Sequence, residues 1–364
     1  MTSVPKSGMH LSSLQYLRGI AALAVVYFHA VVQVEQVANI RELPLSGSFG
    51  VDIFFVLSGF VMWWTTRDRK VGIGDFLVKR LIRIAPLYWV LTIFAAMVAL
   101  FFGDLLRSTK FDLPHLGFSL LFLPWWNPAV AATNAEVLTP VIVPGWTLNT
   151  EMMFYAVFAC ALAVRQSLRP LFVAVLLALV YVSAKTWLSG TTAAFYGTDR
   201  LAEFLAGIVL ACTIRRIPRL SPGIWAVAGL GAFAMLFWMD LERPSVSQFI
   251  VLGIPAVILL CAALQIEISG HLPDLPKLSL LGDASYSIYL SHIFVIAGTR
   301  VAAHVVGLDL GMANGAVFVI LALVVSSVAG IVVHRTIELP LLKGMNRLLR
   351  GGRKPPAAAE LGTS

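Results

Sequence analysis

The stretch Leu14–His29, L-Q-Y-L-R-G-I-A-A-L-A-V-V-Y-F-H, is an apolar run broken by one arginine, Arg18, and one histidine, His29. Its length and flanks read as a membrane-spanning helix over roughly residues 14–34. At about 100° per residue, eleven steps come within roughly 20° of three full turns. Arg18 and His29 therefore share one face, about 16 Å apart along the axis. A charge at membrane depth costs at least ~2.5 kcal/mol, so one that persists faces a bundle interior or a water-filled cavity and marks function. The chain thus carries, in its first long apolar run, a polar stripe running inward along a helix.

The rest of the sequence has the same character. Of 364 residues, 59% are hydrophobic and 13% charged, with a mean hydropathy of +0.85; soluble domains average about 25% charged residues. The fold class is all-α, a polytopic transmembrane helical bundle, since the runs are too long and uniform for barrel strands. Ten spans are expected, at roughly 14–34, 49–65, 84–102, 146–164, 170–187, 200–213, 223–239, 248–266, 283–303 and 313–333. The first is not a cleaved leader: it is too long, holds Arg18 and His29, and no A-x-A site follows. With both termini cytoplasmic, 20 of the 27 Lys and Arg fall inside; the outer seven are Arg41, Arg107, Lys110, Lys185, Arg200, Arg243 and Arg300. That places the net charge of +8 on anionic inner-leaflet lipid and leaves nucleic acid out of account. Residues 1–345 form the membrane domain and 346–364 a disordered cytoplasmic tail. Cys160, Cys212 and Cys261 have neither disulfide nor metal spacing and read as small buried side chains; no metal site is expected.

Three further spans carry isolated polar groups. The second opens F-G-V-D-I-F-F-V-L-S-G-F, placing Asp52 level with His29, with Gly59 seven residues on, on the same face, where a small residue permits close packing. The fourth opens W-T-L-N-T-E-M-M-F-Y, in which Thr147, Glu151 and Tyr155 make a stripe at i, i+4 spacing. His29, Asp52 and Glu151 then meet at one outer depth, and an imidazole oriented by a carboxylate is the usual general-base arrangement. The plainer alternatives are a helix cap for Asp52, an interfacial snorkeller for Glu151 and an interhelical hydrogen bond for His29. At the inner mouth, Arg80 and Arg83 in K-R-L-I-R-I-A-P lie on one face, a fork suited to phosphate or to lipid headgroups. In the ninth span, D-A-S-Y-S-I-Y-L-S-H, residues Ser285, Tyr289 and His292 share a face and line an interior channel or bond between helices, while Tyr286 and Ser287 turn elsewhere. Trp125 and Trp126 offer a sugar-stacking platform or interfacial anchors.

Taken together, these strings resemble the membrane-bound acyltransferase-3 family, its exopolysaccharide and surface-polysaccharide O-acetyltransferases in particular, over about residues 11–343. The Arg18-to-His29 spacing, G-V-D-I-F-F-V-L-S-G-F, the Arg80-x-x-Arg83 motif, the glutamate motif at Glu151 and S-Y-S-I-Y-L-S-H occur in the family's order. Asn149-Thr150 departs from the usual small or apolar pair, and the extra extracytoplasmic hydrolase-like domain of some members is not present in this sequence.

The resemblance implies an acyltransferase of the bacterial inner membrane that takes acetyl from cytoplasmic acetyl-CoA. The acceptor it implies is a glycan hydroxyl outside, on a polysaccharide or a lipid-linked oligosaccharide. CoA phosphates would sit at Arg80 and Arg83, with the pantetheine threading along the Arg18 face. His29 would take the proton of the attacking hydroxyl, Glu151 or Asp52 would hold its tautomer, and Arg18 would polarise the thioester or hold the donor. Tyr155, Ser285, Tyr289 and His292 would line the channel. The rival classes are a transporter or flippase, which the missing internal repeats disfavour, and a non-catalytic component of a secretion complex.

Overall fold

The computed structural model describes residues 11–38, 43–103, 110–129, 137–305, 307 and 312–351. Its helices are α1 (Ser12–Ala38), α2 (Gly50–Thr66), α3 (Ile73–Phe102), α4 (Leu113–Leu120), α5 (Gly145–Ala161), α6 (Arg169–Trp187) and α7 (Gly190–Tyr196). They continue with α8 (Arg200–Thr213), α9 (Pro222–Glu242), α10 (Ile254–Ile268), α11 (Pro276–Asp283), α12 (Ser285–Val305), α13 (Met312–Val333) and α14 (Leu339–Gly351). The described residues form no strand, only an isolated bridge between Trp126 and Leu138. The all-α expectation holds.

Among the described residues, seven helical stretches are long and apolar enough to cross a membrane: Ser12–Val37, Ile73–Phe102, Gln166–Trp187, Pro222–Glu242, Phe249–Ile268, Ser285–Val305 and Asn314–Leu349. The other three expected spans centre on α2, α5 and α8, with 17, 17 and 14 residues. Each is short of the ~20 residues that cross a bilayer upright. Hydropathy marks an apolar run without measuring its helix. Helix α3 starts eleven residues before the expected 84, so Arg80 and Arg83 lie within it, not ahead of it. At 30 residues it reaches ~45 Å, more than the ~30 Å hydrocarbon core, and the basic pair lies in its first half, one turn apart. Residues 346–351, expected in the tail, belong to α14; 352–364 lie outside the described residues.

Two wide π-turns interrupt the regular helices, at Phe249–Gly253 and His334–Glu338. Each ends two residues before a proline, Pro255 and Pro340. A proline ring collides with the carbonyl four residues back, and a widened turn moves that carbonyl aside. In the second, Glu338 at the end of the widened turn meets Arg83, Ser287 and His334.

Among the described residues, α2 and α8 share the most extensive helix–helix contact. A Cβ on Gly59 would stand 1.9 Å from the Phe204 carbonyl oxygen, and one on Gly207 2.1 Å from that of Val56. The two glycines let the backbones touch, as the small residue at 59 predicts. Asp240, buried on α9, accepts from the Gly47 N–H at 2.7 Å and the Phe49 N–H at 3.3 Å, which pins the entrance to α2. Of the cysteines, Cys261 is buried, Cys212 half-buried and Cys160 exposed on α5, contrary to expectation; in a bilayer an outward thiol faces lipid tails, which cost it nothing.

Candidate active site

A cavity of about 170 Å³ opens among α1, α2, α3, α5 and α12, against roughly 10–15 Å³ for one water. Its polar lining is Arg18, Ser58, Arg80, Arg83, Thr147, Glu151, Tyr155, Ser285, Tyr286 and Tyr289. The stripe Thr147, Glu151, Tyr155 lies along its wall as expected. Glu151 Oε1 accepts from Ser58 Oγ at 3.0 Å and from Tyr155 Oη. Arg80 lies over the Tyr155 ring at 5.6 Å and donates to Thr65 Oγ1 at 3.3 Å. Arg83 pairs with Glu338 and lies 5.6 Å over the Tyr286 ring. Arg18 makes one long bond, 3.4 Å to Gln15 Oε1. A cavity with several guanidinia and one carboxylate on its own wall attracts anions.

Ser287 turns elsewhere as expected, but Tyr286 does not. Tyr286 lines the cavity and donates to the Ile84 carbonyl at 2.6 Å, while Ser287 donates to Glu338 Oε2 at 2.7 Å. Ser285 and Tyr289 line the cavity, but His292 does not. Helix α12 is polar on more than one side because α3, the second π-turn and α1 all meet it.

His29 and His292 form a pair next to this cavity. His292 Nδ1 lies 2.7 Å from the Tyr289 carbonyl, and its Nε2 lies 3.3 Å from His29 Nδ1. His29 Nδ1 is also 2.9 Å from the Val25 carbonyl. A carbonyl only accepts, so both Nδ1 atoms carry hydrogen; that of His29 is shared between Val25 and His292 Nε2. In the neutral ring the free lone pair of His29 is then on Nε2, the form a general base needs. Tyr289 links the two places. Its hydroxyl donates to the Pro144 carbonyl at 3.1 Å and meets Thr147 Oγ1 at 2.9 Å, its ring packs edge-on to Phe54 at 5.8 Å, and its carbonyl holds His292.

The expected triad of His29, Asp52 and Glu151 does not assemble. Among the described residues no carboxylate bonds to His29; a histidine and a main-chain carbonyl orient it instead. Asp52 shares the Gly59 face of α2, and the glycine contact turns that face onto α8. There Asp52 is fully buried, accepts from Gln248 Nε2 at 2.7 Å and lies 3.8 Å from Arg200 Nε. Glu203, also fully buried on α8, stands beside it. Sequence reasoning missed Glu203 and Glu338, though each is the single acid in its apolar run, the same signal that singled out Arg18 and His29.

Helix α4 folds back on the segment that follows it. His115 Nε2 donates to the Thr139 carbonyl at 2.7 Å, and Trp89 Nε1 to the Leu120 carbonyl at 2.8 Å. Trp125 stacks on Phe118 at 3.9 Å, so one face of its ring is already covered, while Trp126 is exposed.

A family model described as an acyltransferase domain matches residues 11–335, and the chain belongs to this family, membrane acyltransferase family 3. It is 35% identical to the exopolysaccharide production protein ExoZ of Rhizobium meliloti over 86% of this chain and 95% of that one. It is 27% identical to the acyltransferase MdmB of Streptomyces mycarofaciens over 98% of this chain and 96% of the other. With the O-acetyltransferase OatA of Staphylococcus aureus it shares 25% identity over 80% of this chain and 51% of that protein. No solved structure matches the chain.

Proposed function

We propose that this membrane acyltransferase moves an acetyl group from cytoplasmic acetyl-CoA to a hydroxyl of a glycan on the far side of the bacterial inner membrane. The observation that carries the reading is the pairing on α1 of an anion-attracting cavity at Arg18 with a base-competent histidine about 16 Å further on. Ten spans with both ends cytoplasmic, counting α2, α5 and α8 as short spans in the bundle, put the cavity on the donor side. The charge asymmetry supports that orientation.

The chemistry follows from the groups present. The donor's phosphates meet guanidinia at the inner mouth, and its acyl end enters between Glu151, Ser285 and Tyr289. His29 Nε2 takes the acceptor hydroxyl's proton as the oxygen attacks the thioester carbonyl. The C–S bond breaks and the thiolate leaves with the proton from the imidazolium, so that ester and thiol are the products and no net proton is consumed. His292 disperses the charge that develops on His29. The exopolysaccharide context of ExoZ and the O-acetyl activity in the name of OatA support a glycan acceptor.

Two measurements test this. Purified protein in nanodiscs releases thiol from acetyl-CoA, slowly with water and faster with the acceptor. Surface polysaccharide from cells lacking the gene carries less ester-linked acetate by mass spectrometry. Equal acetate content with and without the gene, and no thiol release, would indicate a transporter or an assembly component.

A further inference from the structure

Arg80 and Arg83 lie one helical turn apart on α3, yet their surroundings differ. Arg83 Nη1 pairs with Glu338 Oε1, and that carboxylate is almost fully buried at 1% exposure. Its second oxygen accepts from Ser287 Oγ at 2.7 Å and lies 2.7 Å from His334 Nδ1. Glu338 sits on the π-turn that precedes Pro340, and the widened turn aims it inward at α3 and α12. Arg80 and Arg18, by contrast, have no carboxylate within 4.0 Å among the described residues; their polar contacts are Thr65 and Gln15, both neutral. A guanidinium already neutralised by a buried carboxylate attracts a phosphate far less than a free one, and its orientation is fixed by that partner.

We infer that Glu338 is a positioning residue that ties Arg83 to the turn before α14 and removes its charge from the donor site. Arg18 and Arg80 are then the cations that meet the donor's phosphates. The inference rests on the reading of the cavity as the donor site. It divides a pair of arginines that spacing alone makes equivalent.

The test is CoA affinity in nanodiscs, alongside kcat and KM for acetyl-CoA, with accumulation in the membrane checked for every variant. Arg80→Met weakens CoA binding tenfold or more. Arg83→Met also weakens it, because it strips the buried Glu338 of its guanidinium partner and leaves that carboxylate, held only by Ser287 and His334, beside the donor site. The double variant Arg83→Met with Glu338→Gln removes the pair together, and CoA affinity returns to within about threefold of the unaltered protein. Glu338→Gln alone keeps shape but frees Arg83, so CoA binds as well or better while kcat falls about tenfold. A double variant as weak as Arg83→Met, or a Glu338→Gln variant with raised KM, overturns the division and makes Arg83 a direct phosphate ligand. If Arg80→Met and Arg83→Met both bind CoA as the unaltered protein does, the donor-site reading itself fails, and the inference with it. The first two outcomes leave that reading standing, so the two failures are distinguishable.

Discussion

His292 Nε2 stands 3.3 Å from His29 Nδ1, so the imidazole on α1, the base of the proposed reaction, is oriented by a second imidazole on α12 and, among the described residues, not by an acid. The hydrogen on His29 Nδ1 is shared between a main-chain carbonyl and a neutral ring. In the proposed reaction the imidazolium formed there would have, among the described residues, no full negative charge against it. Such a base gives its proton up readily, which suits a reaction that must return that proton to a leaving thiolate.

His29→Ala abolishes polysaccharide acetylation while the protein still accumulates in the membrane. Loss of a general base costs about 10²–10⁴-fold. His292→Ala lowers the rate by less, since the Val25 carbonyl still holds the Nδ1 hydrogen. Acetate content of purified polysaccharide is the readout, and near-normal acetate with His29→Ala would remove His29 from the chemistry.

Gly207→Leu destabilises the bundle without touching the cavity. Even a Cβ there meets the Val56 carbonyl oxygen at 2.1 Å, main chain that cannot swing aside. Overpacking of this kind costs about 1–3 kcal/mol. The transition midpoint in detergent falls accordingly, and an unchanged midpoint would mean that α2 and α8 separate more easily than their contact suggests.

The bundle class and the cavity's long polar wall were legible in the sequence, because single polar residues in apolar runs announce themselves. Arg18, Glu151 and Tyr155 are where that rule puts them. What hydropathy conveys is depth; it says little about azimuth. The sequence groups Asp52 with His29, and the structure turns it to Gln248 and Arg200 instead, although Gly59 on the same face already points at a close helix contact. The pairing of His29 with His292 joins residues more than 260 positions apart, and no local pattern encodes it. Glu338 escaped because the last apolar run was read as a plain span, and its carboxylate acquires meaning only through the wide turn that aims it at Arg83.

Lowering the pH loosens the segment that α4 fastens. Burial pushes the His115 imidazole below its ordinary value. Its Nε2–H is donated to Thr139, and among the described residues its buried Nδ1 has no partner to accept from it. The native state therefore binds fewer protons than the unfolded one as pH falls through the ordinary imidazole value of about 6.5. The stability held by this contact is present above that pH and is lost below it. Protease cutting near α4 rises between about pH 7 and pH 5, and His115→Gln flattens the profile. A cutting rate independent of pH in the unaltered protein would show that His115 does not fasten the loop.

The orientation can be read chemically. In a background lacking Cys160, Cys212 and Cys261, a cysteine replacing exposed Leu113 on α4 reacts with an impermeant maleimide in intact cells. One replacing Gly72, at the start of α3, reacts only after permeabilisation. The reverse pattern would place the arginines outside and remove cytoplasmic acetyl-CoA as donor.

The widened turn at His334–Glu338 also sets where this protein can be cut or extended. Removing one residue there would return the segment to an ordinary helix and swing everything beyond it by about 100°, carrying the Glu338 carboxylate off Arg83. Reporter fusions belong after Gly351, where added length leaves that turn intact. For the same reason, insertions and deletions in relatives that keep the Arg83 partnership should fall on either side of this five-residue turn and spare its interior.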